Sequence, residues 1–424
     1  MACVSWALGV VKSWSWFHNL QRVAIVIAAG SRASRRPCHP RPTLSMVRAM
    51  KPLVGAGALL LIAWVLWDAF ETILLTRRVP ARLRISRFVL SWLWAGWAMI
   101  ARRITARGRR ETFLSFYALL SILGLLIVWA TGLVVGFALL HWAQGSQLAG
   151  VIGTGGGVAT AGFAADLYMS GTTFFTLGLG DLHPMSPAAR LITVTEAGTG
   201  FGFLALVIAY VPVLYQSFAR REARITMLDA WAGSPPTAAV MLRRTLESTD
   251  PGVIAPLLRD WERTSAEILE SHLSYPILCF FRSQHDNQSW LAAMVAILDA
   301  CALVIVGVEG IDPFQARLTF AIARHALVDL SQTFRLKPVA PETLRLAPGT
   351  IAELRAWLAA SGVRLREGAE ADRKLAELRD LYTPYAHQLS QVLLMPLPPA
   401  LPPPKARYNW QTTQWGKTAT DEAH

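Results

Sequence analysis

The chain has 424 residues, of which 53% are hydrophobic and only 16% charged, with 16 Trp and a mean hydropathy of +0.36. That composition excludes a wholly soluble or disordered chain and describes a membrane protein with enough length left over for a soluble domain. The net charge of +13 is clustered at the ends of apolar segments, so it reads as a topology determinant rather than a nucleic-acid surface.

Residues 1–49 form a basic extension with no acid and one weak apolar stretch, Val23 to Gly30. The extension lacks the order of a signal peptide. It conflicts with a single span following it, because basic flanks stay on the cytoplasmic side. Translocation regardless of charge, an extra membrane element at 23–30, or a true start at Met46 or Met50 would each resolve this; the last is preferred. Region 50–112 holds a first membrane helix, Leu53 to Leu75, and a basic interfacial helix. The first is apolar apart from Asp68, Glu71 and Thr72, and its two acids share a face and are expected to pair with Arg at the cytoplasmic edge or to take part in sensing. Phe88 to Ala101 is too short to cross a bilayer, which takes roughly 20 residues. It reads as interfacial, with Trp92, Trp94 and Trp97 at headgroup depth.

Residues 113–218 read as a pore module. An outer helix over 113–142 carries no charge. A pore helix over 166–175 leads into Thr176-Leu177-Gly178-Leu179-Gly180-Asp181, and an inner helix follows over 188–218. A short polar loop returning into a membrane is tolerated only where it lines a cavity. Aiming successive carbonyls at one axis forces alternate residues toward φ > 0, where Gly costs least, and Gly178 and Gly180 alternate. Thr176 adds a hydroxyl below that ladder, and Asp181 at the mouth raises the local cation concentration. Through this hexamer the chain resembles the pore-loop potassium channels of the prokaryotic type, with two helices around one pore loop. Leu167-Tyr168, Ser170 and Thr173 match that family's pore-helix pattern. The resemblance implies K⁺ held by the backbone carbonyls of Thr176, Leu177, Gly178 and Leu179, with no cofactor and no covalent chemistry. The family's usual hexamer is T-V-G-Y-G-D. Leu179 replaces the Tyr that packs behind the filter, which leaves strict selectivity over Na⁺ open. Four copies are needed to close a ring of carbonyls, so the expected assembly is a homotetramer in a lipid bilayer.

The inner helix carries Gly198, Gly200 and Gly202, then Pro212. Gly200 lies where the family often has a hinge glycine, and Pro212 removes a helix bond; hinge and close packing are equally supported for Gly200. Glu196 is a carboxylate inside the membrane. It either raises cation occupancy of the cavity or supports the filter from behind, the plain alternative being a protonated, hydrogen-bonded Glu beside Thr193 or Thr195. No helix carries regular Arg spacing, so no voltage sensor of the usual kind is read. Ten Arg and no acid lie between Arg77 and Arg110, and no Lys or Arg lies between Glu111 and Ala189. The positive-inside tendency therefore puts 76–112 and everything past 218 in the cytoplasm and the pore loop outside, in the plasma membrane of a bacterium.

Residues 219–395 read as a cytoplasmic all-α domain with helices at 236–248, 253–272, 288–308, 313–334, 349–360 and 367–394. Trp290 to Val308 is long enough to be a near-span, but Asp299 at its middle favours a buried helix of that domain. No nucleotide-binding G-x-G-x-x-G follows a strand, so the domain's regulator stays unknown. Cys3, Cys38, Cys279 and Cys301 have no metal spacing. Residues 396–424 read as a Pro-rich disordered tail. The expected fold is thus an all-α membrane protein, and the expected function is passive K⁺ conduction, not enzymatic. The alternatives are a weakly selective monovalent cation channel and a membrane-anchored scaffold with a vestigial pore.

Overall fold

A computed structural model describes residues 43–74, 84–150, 162–247, 251–339 and 348–404. The apolar stretch 23–30, Cys3, Cys38 and the last twenty residues of the tail lie outside the described residues. The chain divides into two compact units. The first comprises residues up to Phe70, Ile85–Ala95 and Gly124–Leu206; the second comprises Glu71–Arg84, Gly96–Leu123 and Val207 onward.

Three long helices carry the membrane pattern: α1 (Thr43–Ile73), α3 (Arg107–Ala143) and α5 (Pro187–Ala232), with the shorter α2 (Ile85–Ala101) between the first two. Only 28%, 33% and 22% of the apolar windows of α1, α3 and α5 are buried, so these helices present their apolar side chains outward, as lipid requires. Helix α5 continues fourteen residues beyond the expected end at 218, because 219–232 is rich in Ala and Arg and holds no breaker. Pro212 sits inside the continuous helix.

In the first unit, α1 and α3 meet through small residues. A Cβ on Gly136 would stand 2.6 Å from Ile62 Cγ1, and one on Gly132 would stand 3.0 Å from Val65 Cγ2. Without a hydrophobic drive inside lipid, such close approach supplies the packing that associates membrane helices. Asp68 corrects an expectation. Among the described residues it pairs with no Arg; its carboxylate accepts from Ser86 N at 3.0 Å, Ser86 Oγ at 3.2 Å and Trp129 Nε1 at 2.8 Å. Ser86 N is one of the unsatisfied donors at the start of α2, so Asp68 caps that helix from another segment of the chain. Replacing Asp68 by Ala orphans these buried donors, and the detergent-solubilised protein is expected to lose about 3 kcal/mol of stability, read as a lowered unfolding midpoint. An unchanged midpoint would show the cap to be dispensable.

In the second unit Glu71 does meet Arg84, at 3.6 Å, and Arg84 also donates to Thr72 Oγ1 at 3.4 Å. Trp97 stacks on Phe113 at 4.5 Å between ring centroids and donates its indole N–H to the Phe113 carbonyl. Only Trp92 of the three expected interfacial tryptophans is exposed; Trp94 is buried and Trp97 half-buried, because each has a protein surface to cover.

The rest of the second unit is helical: α6 (Ala238–Glu247), α7 (Ile254–Ser274), α8 (Trp290–Gly307), α9 (Phe314–Thr333), α10 (Pro348–Ala360), α11 (Ala369–Asp380) and α12 (Thr383–Leu393). Helix α8 has the length and hydropathy of a membrane span, yet 94% of its apolar window is buried among α6, α7, α9, α11 and α12. It is the core of a helical domain. Its cap, Ser289 Oγ, accepts from Ala292 N at 3.0 Å, and Asp299 accepts from the Tyr382 hydroxyl at 2.5 Å. The single helix expected at 367–394 is broken at Leu381–Tyr382, because Pro384 lacks an N–H and its ring excludes the carbonyl one turn back. Residues 396–404 do not leave as a free tail: Pro398 is buried and its neighbours are half-buried. Cys279 and Cys301 are buried free thiols.

Candidate pore and filter site

Helix α4 (Phe163–Phe174) occupies the predicted pore-helix position, starting three residues earlier than expected. Its last carbonyls are taken by the turn that follows: Phe175 N donates to Gly171 O at 3.1 Å, Thr176 N to Thr173 O at 3.0 Å, and Leu177 N to Thr172 O at 2.8 Å. These bonds fold the chain back at the helix terminus, where the partial negative end of the dipole favours a cation.

Beyond that turn φ is +58° at Thr176, +55° at Gly178 and +77° at Gly180, and Leu177 and Leu179 are not in this region. Alternate residues in the left-handed region are what a run of carbonyls on one side demands of an extended chain. Thr176 is the costly member, and the Thr172 and Thr173 carbonyls hold the turn around it. Leu177 and Leu179 are 62% and 63% exposed, so neither side chain packs behind the loop of its own protomer. At the far end, Asp181 is exposed and takes a hydrogen bond from Tyr168 on α4. Immediately after it, β2 (Leu182–Pro184) pairs antiparallel with β1 (Leu148–Gly150), a ladder absent from the sequence reading. Gly150 opposes Leu182, and a Cβ there would meet Asp181 O at 2.1 Å, so the backbone of β1 braces the loop's exit.

The inner helix supports this loop from the side. A Cβ on Gly200 would lie 2.0 Å from the carbonyl oxygen of Phe174, the last residue of α4. Gly198 and Gly202 have nothing within 4 Å of the equivalent point. Of the two roles open for Gly200, the structure shows close packing; α5 is continuous through it. Glu196 is fully buried, so it does not face a water-filled cavity. Thr193 and Thr195 are not its partners either; their hydroxyls donate to Ala189 O and Leu191 O, both at 2.9 Å. Glu196 instead bonds Ser170 on α4 and lies 3.9 Å from His141 Nε2 on α3. His141 escaped the sequence reading because a lone His at the end of an apolar run carries no pattern. Asp166, in the first turn of α4, accepts from Ser146 Oγ at 2.5 Å.

A helical membrane fold, a short re-entrant helix and a left-handed alternation at its end define an all-α membrane protein carrying an ion-channel domain. Residues 124–216 match the family described as "Ion channel". The chain is similar to an uncharacterized membrane protein, YdjJ, of Bacillus subtilis (strain 168): 27% identical over 246 residues, covering 58% of this chain and 67% of that protein. No solved structure matches.

Proposed function

We propose that the chain is one quarter of a potassium channel, assembled as a homotetramer around the loop 176–181 and conducting K⁺ passively across a bacterial plasma membrane. One observation carries this reading: the left-handed alternation at Thr176, Gly178 and Gly180, set at the C-terminal end of a short membrane helix. The exposed side of that loop supports a fourfold ring, because a carbonyl ladder replaces a hydration shell only when other copies complete it. The absence of Lys and Arg from Glu111 to Ala189 supports an outward-facing pore loop and a cytoplasmic C-terminus.

Purified protein in liposomes tests it by K⁺ and Na⁺ flux, with Gly178→Ala as control. Gly178 has open space around it, but an Ala there is strained at φ +55°. The variant is therefore expected to fold and to lose K⁺ flux. Equal flux in both proteins would overturn the assignment of this loop.

A second reading, weak selectivity among monovalent cations, is favoured by Leu179, whose side chain is 63% exposed where an aromatic ring would pack. Leu179→Tyr is then expected to move the reversal potential toward that of K⁺. An unmoved potential would assign full selectivity to the native loop.

A further inference from the structure

Ser170, Glu196 and His141 come from three different helices, α4, α5 and α3, and meet behind the filter loop, each at most 1% exposed. Ser170 Oγ lies within hydrogen-bond reach of two oxygens, the Val134 carbonyl at 2.7 Å and Glu196 Oε1. A hydroxyl has one proton to donate, and a backbone carbonyl only accepts. If Ser170 donates to Val134, the Ser170–Glu196 bond is made by a proton on Glu196. Among the described residues the second carboxyl oxygen, Oε2, has no hydrogen-bond partner, and neither has either ring nitrogen of His141. A bare carboxylate in that surrounding would be costly and would compete with Val134 for the serine proton.

We infer that Glu196 is a proton-dependent strut. In its carboxylic-acid form it donates to Ser170, completes the chain Glu196–Ser170–Val134, and seats the pore helix; ionisation breaks that chain and unseats the filter. This rests on the channel reading and deepens it, with Glu196 as a positioning residue. The sign follows from the donor. The bond needs the proton, so conduction is present at lower pH and lost as pH rises through the titration of the carboxyl. His141 acts in the opposite sense, since an imidazole N–H or imidazolium beside Oε2 favours the carboxylate. The titratable groups nearest on the packed elements have contacts of their own, although Asp166 Oδ1, four residues before Ser170 on α4, has no hydrogen-bond partner among the described residues. Asp166 on α4 is bound to Ser146, Asp68 on α1 to Ser86 and Trp129, and Arg190 on α5 to Pro184 O, while Lys51 on α1 stands over the Trp142 ring.

The test is K⁺ flux of the full-length protein in liposomes from acid to alkaline pH, comparing wild type, Glu196→Gln and His141→Leu. Wild-type flux is expected to fall about tenfold per pH unit beyond the titration point. Glu196→Gln, whose amide donates to Ser170 at every pH, loses this limb; His141→Leu moves it to higher pH. The same alkaline limb in wild type and Glu196→Gln overturns the strut. The infrared carbonyl band of a protonated carboxyl, present in wild type at neutral pH and reduced in Glu196→Gln, reads the proton without flux. Its absence from wild type also overturns the strut, whereas the band with no flux at any pH counts against the channel reading alone.

Discussion

Gly200→Ala is expected to abolish K⁺ flux. Helix propensity by itself gives the opposite sign, because Ala in place of Gly inside a helix stabilises by roughly 0.5–1 kcal/mol. Packing reverses it. The added methyl would stand 2.0 Å from the Phe174 carbonyl oxygen and 2.8 Å from its carbon. Both are backbone atoms, so no rotamer relieves the contact and α4 or α5 has to move. Overpacking of this kind costs about 1–3 kcal/mol even in cores that adapt. Here the displaced residue is the last of the pore helix, one turn before the carbonyls that would bind the ion. A shift of about an ångström at such a site is enough to cost two orders of magnitude in a positioned reaction, and an ion ladder is no more tolerant. Flux should therefore fall more than about tenfold while the protein remains folded by size-exclusion chromatography. Gly198→Ala is the internal control, since nothing lies within 4 Å of its Cβ position. Unchanged flux in Gly200→Ala would show that α4 does not lean on the inner helix at this point. Altered open time with unaltered conductance would return Gly200 to the hinge role.

Arg282→Ala should carry a large stability loss in the second unit. The guanidinium is buried. It reaches Glu111 Oε2 at 3.4 Å and Leu394 O at 3.2 Å, and it also donates to Leu393 O. The last two carbonyls belong to the C-terminus of α12, where Leu394 is left-handed at φ +54° and a cation caps the helix end. Burial pulls Arg282 down to about 10, with Glu111 opposing that pull, so the side chain stays charged at neutral pH. Removing it leaves Glu111 with Arg110 alone, at 3.7 Å, and takes the guanidinium from two carbonyls at the helix end. Breaking one half of a buried pair costs about 3–5 kcal/mol, and the unfolding midpoint should drop accordingly. Pairing Arg282→Ala with Glu111→Gln should recover part of the loss; a double variant no better than the single one would assign the effect to α12 alone.

How far the sequence carries the fold differs between its parts. The three lipid-facing helices are legible because a bilayer imposes one local rule, a long apolar run with most of its charges beyond the ends, and Leu53–Leu75, 113–142 and 188–218 follow it apart from Asp68, Glu71, Arg190 and Glu196. The loop 176–181 is legible for a similar reason: its left-handed alternation is written residue by residue, in Gly178 and Gly180. Helix α8 shows the limit of that rule. Its composition is that of a membrane span; Asp299 at its middle already points to a buried helix, and its neighbours, with α11 and α12 packed on it and Tyr382 bonded to Asp299, make it the inside of a domain.

The amino-acid sequence by itself determined the membrane class of this protein, the order of its helices and the position of its re-entrant loop, because each depends on residues adjacent in the chain. What only the tertiary structure decided is what stands behind that loop: Gly200 against Phe174, Gly150 against Asp181, Asp68 on the start of α2, and His141 beside Glu196. These contacts join residues from separate helices. A lone glycine, aspartate or histidine carries no periodicity, so its role is set by which backbone or carboxyl the packing brings to it.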